Sequence, residues 1–231
     1  MKKFWPGLWK WIKYGLILFF GSSIVFTLLY RFINPPVTPL MVIRLAEQAF
    51  DGQPLRLKIN WVALSDISPD LALAVVASED NLFFEHHGFD IDAIEKAKVY
   101  NEKKHGRKVR GASTISQQTA KNVFLWPHRS WIRKGLEVYF TTLIELLWGK
   151  RRIMEVYLNV VEMGNGIYGA EAASRHYYDK PAIRLSRGES AILAAILPNP
   201  RKWNPVRPTS YLLQRQDWIL WNMKNIGKIE Y

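Results

Sequence analysis

Hydrophobic and polar positions along the chain form one long apolar block and then a succession of helical stripes. Tyr14 to Tyr30 is a run of 17 residues without a charge, preceded by Lys2, Lys3, Lys10 and Lys13 and closed by Arg31. As a helix rising roughly 1.5 Å per residue it spans about 26 Å, a little short of a hydrocarbon core of about 30 Å. Snorkelling by Lys13 and Arg31, with Trp5, Trp9 and Trp11 at the interface, covers the difference. The competing reading is a cleaved leader, which calls for a shorter apolar stretch ending in small residues. Leu28, Leu29, Tyr30 and Arg31 stand there instead. The pattern therefore predicts a transmembrane helix over 14–31 and, from the four lysines before it, a cytoplasmic tail at 1–13 with the remainder exported.

Asn34-Pro35-Pro36-Val37-Thr38-Pro39 reads as an extended linker, because stacked prolines resist helix. With the mixed-polarity stretch after it, 32–67 is expected to be linker and lead-in. From Ser68 onward the pattern is helical. Ser68-Pro69 opens a helix to about Ser78, and Ser113 caps one through about Asn122. Further helices are expected over Ser130–Trp148, Arg151–Glu162 and Ala170–Tyr178. Ser186 and Glu189 form a capping box for a helix ending at Pro198, and a last helix covers about Thr209–Lys224. Strand alternation and internal repeats are not evident. The expectation for 68–231 is one mainly α domain.

Composition narrows the chemistry. Thirty-two Lys and Arg against 20 Asp and Glu leave a formal charge of 32 − 20 = +12, and there is no cysteine. Disulfides, thiolate metal sites, iron–sulfur clusters and a cysteine nucleophile are excluded. The charge asks for an anionic partner. Export across a membrane argues against nucleic acid and favours lipid headgroups or a lipid-linked phosphate.

Candidate chemistry begins at Glu79 and Asp80, delivered by the apolar helix 69–78 to its own C-terminus, where the helix dipole is unfavourable to a carboxylate. Burial beside Leu82, Phe83 and Phe84 raises a carboxyl pKa further, as a general base or acid requires; the bland alternative is a solvated helix end. His86 fits a ring hydrogen-bonded to a loop or a carboxylate better than a metal ligand, since no paired histidine spacing accompanies it. Gly111 to Gln118 opens a helix with a dense row of hydroxyls and amides, and Lys121 lies one turn on from Gln117 and Gln118. This suits a diphosphate cradle, or else a well-capped surface helix. Arg133, Glu137, Thr141 and Glu145 make a polar stripe opposite Leu136, Phe140, Leu143 and Leu147. Lys150, Arg151 and Arg152 read as a solvated or headgroup-facing cluster. Phe124, Leu125, Trp126 and Trp131 suit either a patch that dips into a membrane or core packing. The segment between Gly88 and Gly111, above all the basic Lys103 to Arg110, reads as a loop over the groove.

Taken in order, these segments carry five motifs. Glu79, Asp80, Phe83, His86 and Gly88 form Glu-Asp-x-x-Phe-x-x-His-x-Gly. Gly111 to Lys121 forms Gly-small-Ser-Thr-Ile-x-Gln-Gln-x-x-Lys, and Arg133, Lys134 and Glu137 form Arg-Lys-x-x-Glu. Lys150, Ile153, Glu155, Tyr157, Leu158 and Asn159 follow, and then Gly166 to Ala173. The chain resembles the monofunctional biosynthetic peptidoglycan glycosyltransferases, the family-51 enzymes that polymerise lipid II. The resemblance implies a mainly α, lysozyme-like glycosyltransferase domain preceded by one transmembrane helix. It implies that Glu79 is the general base and that Glu137 stabilises the leaving diphosphate, directly or through a divalent cation (Mg or Mn) that Glu137 would ligate. Lys96, Ser113, Thr114, Gln117, Gln118, Lys121 and Arg133 would meet the diphosphate or substrate. Lys96 stands where the family often has Arg, a departure at a phosphate-binding position. Asp80, Phe83, His86, Gly88 and Asn159 would be structural. The implied setting is a bacterial inner membrane, with the N-terminus cytoplasmic and the catalytic domain periplasmic. The implied partners are lipid II, the growing lipid-linked glycan, the membrane and cell-wall synthesis or division proteins, without nucleic acid. No Ser-x-x-Lys occurs in these residues, so cross-linking of the product is not expected. Two rival readings stay open: a lysozyme-like hydrolase or lytic transglycosylase, and a non-enzymatic anchored protein that binds anionic lipid.

Overall fold

The computed structural model describes residues 5–104 and 111–229. The chain divides into two units, Met1–Pro35 and Pro36–Tyr231. The first is built on α1 (Trp5–Phe32). Its stretch Leu8–Phe32, which holds an 18-residue window of mean hydropathy 1.8, is long and apolar enough to cross a membrane. The helix starts well before the uncharged run, because Trp9, Lys10, Trp11 and Lys13 contain no breaker and Pro6 is tolerated in a first turn.

The second unit is mainly α, as expected, and it begins earlier than residue 68. Pro39 belongs to no linker: it opens α2 (Pro39–Phe50), with the Thr38 hydroxyl accepting from Met41 N–H. The prolines marked a helix start, since Pro at the first position loses no hydrogen bond. A short strand β1 (Lys58–Ile59) follows. Then comes α3 (Pro69–Glu79), whose residues Leu71 to Ala77 are all buried. Ser68 holds the N-cap position, but its hydroxyl donates to Leu185 O and accepts no hydrogen bond from the helix.

The segment expected to be a loop contains α4 (Ile91–Lys103), capped by Asp90 accepting from Ala93 N–H at 2.8 Å. Ala97 is its one buried residue, so its apolar stripe was too thin to read. Residues 105–110 of the supposed loop lie outside the described residues. Next come α5 (Ile115–Phe124), α6 (Trp131–Leu147) and α7 (Lys150–Val160). The expected helix to Glu162 stops at Val160, and Glu162–Gly164 is strand β2, paired antiparallel with β3 (Ile167–Tyr168). β1 joins β3 in parallel, giving the order β1-β3-β2. Strands of two or three residues are too short to show alternation. α8 (Ala170–Tyr178), α9 (Arg187–Ile196) and α10 (Ser210–Ile226) complete the unit, and the Ser186–Glu189 capping box is present.

α6 turns its ion-paired Arg133 and Glu137 to the interior. Its polar stripe points inward: Arg133, Glu137 and Thr141 are buried, while Trp131 (93% exposed), Ile132 and Leu146 face outward. The aromatic run before it divides, with Phe124 stacked on Phe140 at 4.5 Å and Leu125 buried. Lys150 and Arg152 are not solvated either. Lys150 donates to His86 O and Glu145, and Arg152 pairs with Glu155; Arg151 alone of the three is exposed.

Candidate active site

The buried length of α3 fixes the height at which Glu79 and Asp80 leave it, and the two acids diverge there. Asp80 turns into the protein. Its Oδ1 accepts from His86 Nε2 at 2.8 Å and its Oδ2 from Ile115 N–H at 2.9 Å. Gly88 N–H donates to His86 Nδ1 at 3.1 Å, which fixes the proton on Nε2. The Thr114 hydroxyl then donates to Gly88 O at 2.6 Å. Gly88 has φ +92°, and a Cβ there would lie 2.9 Å from Thr141 Cγ2, so the turn admits only glycine without strain. Lys150 closes the arrangement, donating to His86 O at 2.6 Å and lying 4.6 Å from the centre of the buried Phe83 ring. The end of α3, the His86 turn and the start of α5 are thereby one unit. Asn159 serves a similar purpose elsewhere, exchanging hydrogen bonds with both backbone groups of Val62.

Glu79 turns the other way, into an open groove of about 1180 Å3. Lys96, Ser113 and Gln118 also line it, and α10 contributes Tyr211, Gln214, Arg215 and Trp218. The Glu79 side chain is 14% exposed. Its Oε2 accepts from Gln118 Nε2 at 2.9 Å, and Arg215 Nη2 lies 3.7 Å from Oε1. Burial raises the carboxyl above its ordinary range; Gln118, Arg215 and Lys121 draw it partly back, and Asp80 pushes it up. The Tyr157 hydroxyl donates to Gln118 Oε1 at 3.2 Å. Burial lifts that phenol well above its usual range, so it stays a donor and turns the amide nitrogen of Gln118 towards Glu79.

The basic side of the site is built on α5 and α6. Burial lowers the Lys121 ammonium, while the charges of Glu137 and Glu79 raise it. Among the described residues it forms no hydrogen bond or ion pair. Glu137 is bracketed by Arg133 Nη1 at 2.6 Å and Lys134 Nζ at 2.5 Å. Both of its oxygens are thus taken by cations, with a third cation, Lys121, near by. That donor set does not fit a divalent ion, which needs several oxygen ligands, and no group of three or more His, Asp or Glu that could hold a metal occurs among the described residues.

Comparison with known proteins settles the family. A sequence profile described as Transglycosylase matches residues 49–224. The chain belongs to the transglycosylase family. A biosynthetic peptidoglycan transglycosylase of Bdellovibrio bacteriovorus is 54% identical over 220 residues, covering 95% of this chain and 87% of that protein. One of Bacteroides thetaiotaomicron is 56% identical over 213 residues, covering 92% and 85%. One of Pseudomonas fluorescens is 48% identical over 224 residues, covering 97% and 92%. As a transglycosylase the chain is a glycosyl-transferring enzyme, of the mainly α, lysozyme-like fold that the motifs implied.

Within this transglycosylase the structure gathers Glu79, Lys96, Ser113 and Gln118 on one groove. Lys121 is coupled by charge both to Glu79 and to Glu137. Arg133 and Glu137 are not among the residues that wall the groove. Thr114 also lines the groove, and with Gln117 it forms the capping box of α5; both are almost fully buried. Thr114 rather than Ser113 is the cap, since only Thr114 has an amide three residues on to close the box. Arg215, Tyr211 and Trp218 were not found from the sequence. The spacing 211, 214, 215, 218 marks one face of a helix, but nothing local ties that face to Glu79.

Proposed function

We propose that this protein is a peptidoglycan glycosyltransferase that polymerises lipid II into β-1,4-linked glycan. Glu79 removes the proton from the 4-hydroxyl of the acceptor lipid II sugar. The freed oxygen attacks the anomeric carbon of the growing chain, the bond to its diphosphate breaks with inversion, and undecaprenyl diphosphate leaves. The observation that carries this reading is the state of Glu79: a buried carboxyl raised in pKa, held by one amide and opening onto a groove large enough for sugar rings. Lys121, unpaired and half-buried, and the exposed Lys96 supply charge for the departing diphosphate. Glu137 acts by orienting Arg133 and Lys134 rather than by touching the leaving group. α1 anchors the enzyme in the bacterial inner membrane beside its lipid-linked substrate, with its lysine-rich end cytoplasmic and the second unit periplasmic. No cross-linking activity is assigned to these residues.

The test is turnover of labelled lipid II by the purified full-length protein. Wild type is expected to form polymer, and Glu79→Gln to lose at least about 100-fold in rate, the scale of a general base. Polymer formation that survives Glu79→Gln undiminished overturns the assignment. Digestion of finished glycan, with none made from lipid II, would identify a hydrolase instead.

A further inference from the structure

The proposed base has a charged neighbour outside all five motifs. We infer that Arg215 is a positioning residue for Glu79, whose guanidinium holds the carboxylate as an anion while leaving the oxygen nearest to it free to accept a proton. The inference rests on the reading of Glu79 as general base.

The geometry separates the two oxygens. Oε2 is hydrogen-bonded to Gln118 at 2.9 Å, whereas Arg215 Nη2 stands 3.7 Å from Oε1. That distance exceeds a hydrogen bond, which reaches about 3.2 Å, yet it lies well within Coulomb range. A donor bonded to Oε1 would occupy a lone pair that the incoming hydroxyl needs. A cation slightly farther off offsets the burial of the charge and leaves that lone pair open.

The placement of Arg215 is rigid. One turn to either side, Leu212 and Ile219 are fully buried, and α10 packs on α3 and α9. The Arg215 side chain is 23% exposed, and its Nε is buried without a hydrogen-bond partner. Hydrogen bonding of its own does not account for such a guanidinium, because an unsatisfied buried donor is unfavourable. Its charge towards Glu79 does. The other groups facing Glu79 are Asp80 on the same turn, Gln118 and Lys121 from α5, and the neutral Tyr157 from α7. Asp92, Lys96 and Arg129 lie elsewhere on the groove wall. Among the described residues Arg215 is the one cation within 4 Å of the carboxylate.

The experiment measures kcat/KM with lipid II against pH for wild type, Arg215→Gln, Arg215→Lys and Glu79→Gln, with thermal unfolding of each. A base must be deprotonated to act, so the rate falls on the acid side. Removing the cation raises the folded-state pKa of Glu79, and the acid limb of Arg215→Gln moves to higher pH by about 1 unit. Above the new limb most of the rate returns. Arg215→Lys keeps a charge at greater distance, and its limb moves up by about 0.3 unit. A limb that stays in place while KM rises makes Arg215 a substrate contact and overturns the proposal. So does a lowered melting temperature with an unmoved limb. Should Arg215→Gln not fold, the limb of Arg215→Lys decides the matter by itself. An active Glu79→Gln removes the base reading, whereas an inactive Glu79→Gln with unmoved Arg215 limbs removes only the role of Arg215.

Discussion

Adjacent acids at the end of α3 receive opposite treatment, and their energetics differ accordingly. Each oxygen of Asp80 takes a hydrogen bond, from His86 and from the backbone of Ile115. Asp80→Ala strands both donors in a buried place, so stability falls by about 2–4 kcal/mol, read as a lower denaturation midpoint. Glu79 behaves inversely. Its folded-state pKa is raised, chiefly by burial, so between the unfolded and folded values the native state holds the extra proton. Stability therefore declines as pH climbs through that window, and above it the ionised side chain is a net cost. Glu79→Gln is expected to melt about 2–4 °C higher than wild type at pH 7.5 while losing turnover, and an unchanged or lower melting temperature would contradict that. Glu79 was legible in the sequence because its discomfort is local: an acid at the C-terminus of an apolar helix. Arg215 was not, since its meaning depends on helix packing across 215 − 79 = 136 residues of chain.

Six helices, α2, α4, α5, α6, α9 and α10, begin where a side chain satisfies a free N–H group, and the most consequential of these starts is that of α5. Thr114 accepts from Gln117 N–H, Gln117 accepts from Thr114 N–H, and the same Thr hydroxyl donates to Gly88 O. Thr114→Ala removes the cap and the link to the His86 turn, costing about 1–2 kcal/mol. Ser113→Ala, one residue away on an exposed position, should leave the melting temperature within about 1 °C. Equal losses from the two variants would refute the assignment of the cap. Caps were also the readable signals elsewhere, at Ser130, Ser186 and Thr209. The sequence misled where composition masked a cap, as with Asp90 ahead of the polar α4 and Thr38 amid prolines. On α6 the polar stripe was legible, but which way it faced was left open, and it packs inward beside Phe140 and Ile144 while Trp131 faces out.

At the scale of the whole molecule, the chain divides into two units. The long apolar α1 was plain from the sequence, because an uncharged run of that length stands apart from the amphipathic stripes after it. The second unit contains the complete groove between Pro36 and Tyr231. A protein starting at Pro36 is expected to unfold cooperatively within about 5 °C of the full chain, yet to remain in the supernatant when anionic vesicles are pelleted. Co-sedimentation equal to that of the full chain would show that α1 is not the anchor. The packing of α10 against α3 and α9 also sets an order of events during synthesis. A chain delivered from its N-terminus exposes Glu79 long before Arg215 emerges, and α3 and α9 remain uncovered until residue 226 has followed. A nascent protein thus holds its acid for many seconds without the cation beside it, and the groove is finished only when α10 has arrived.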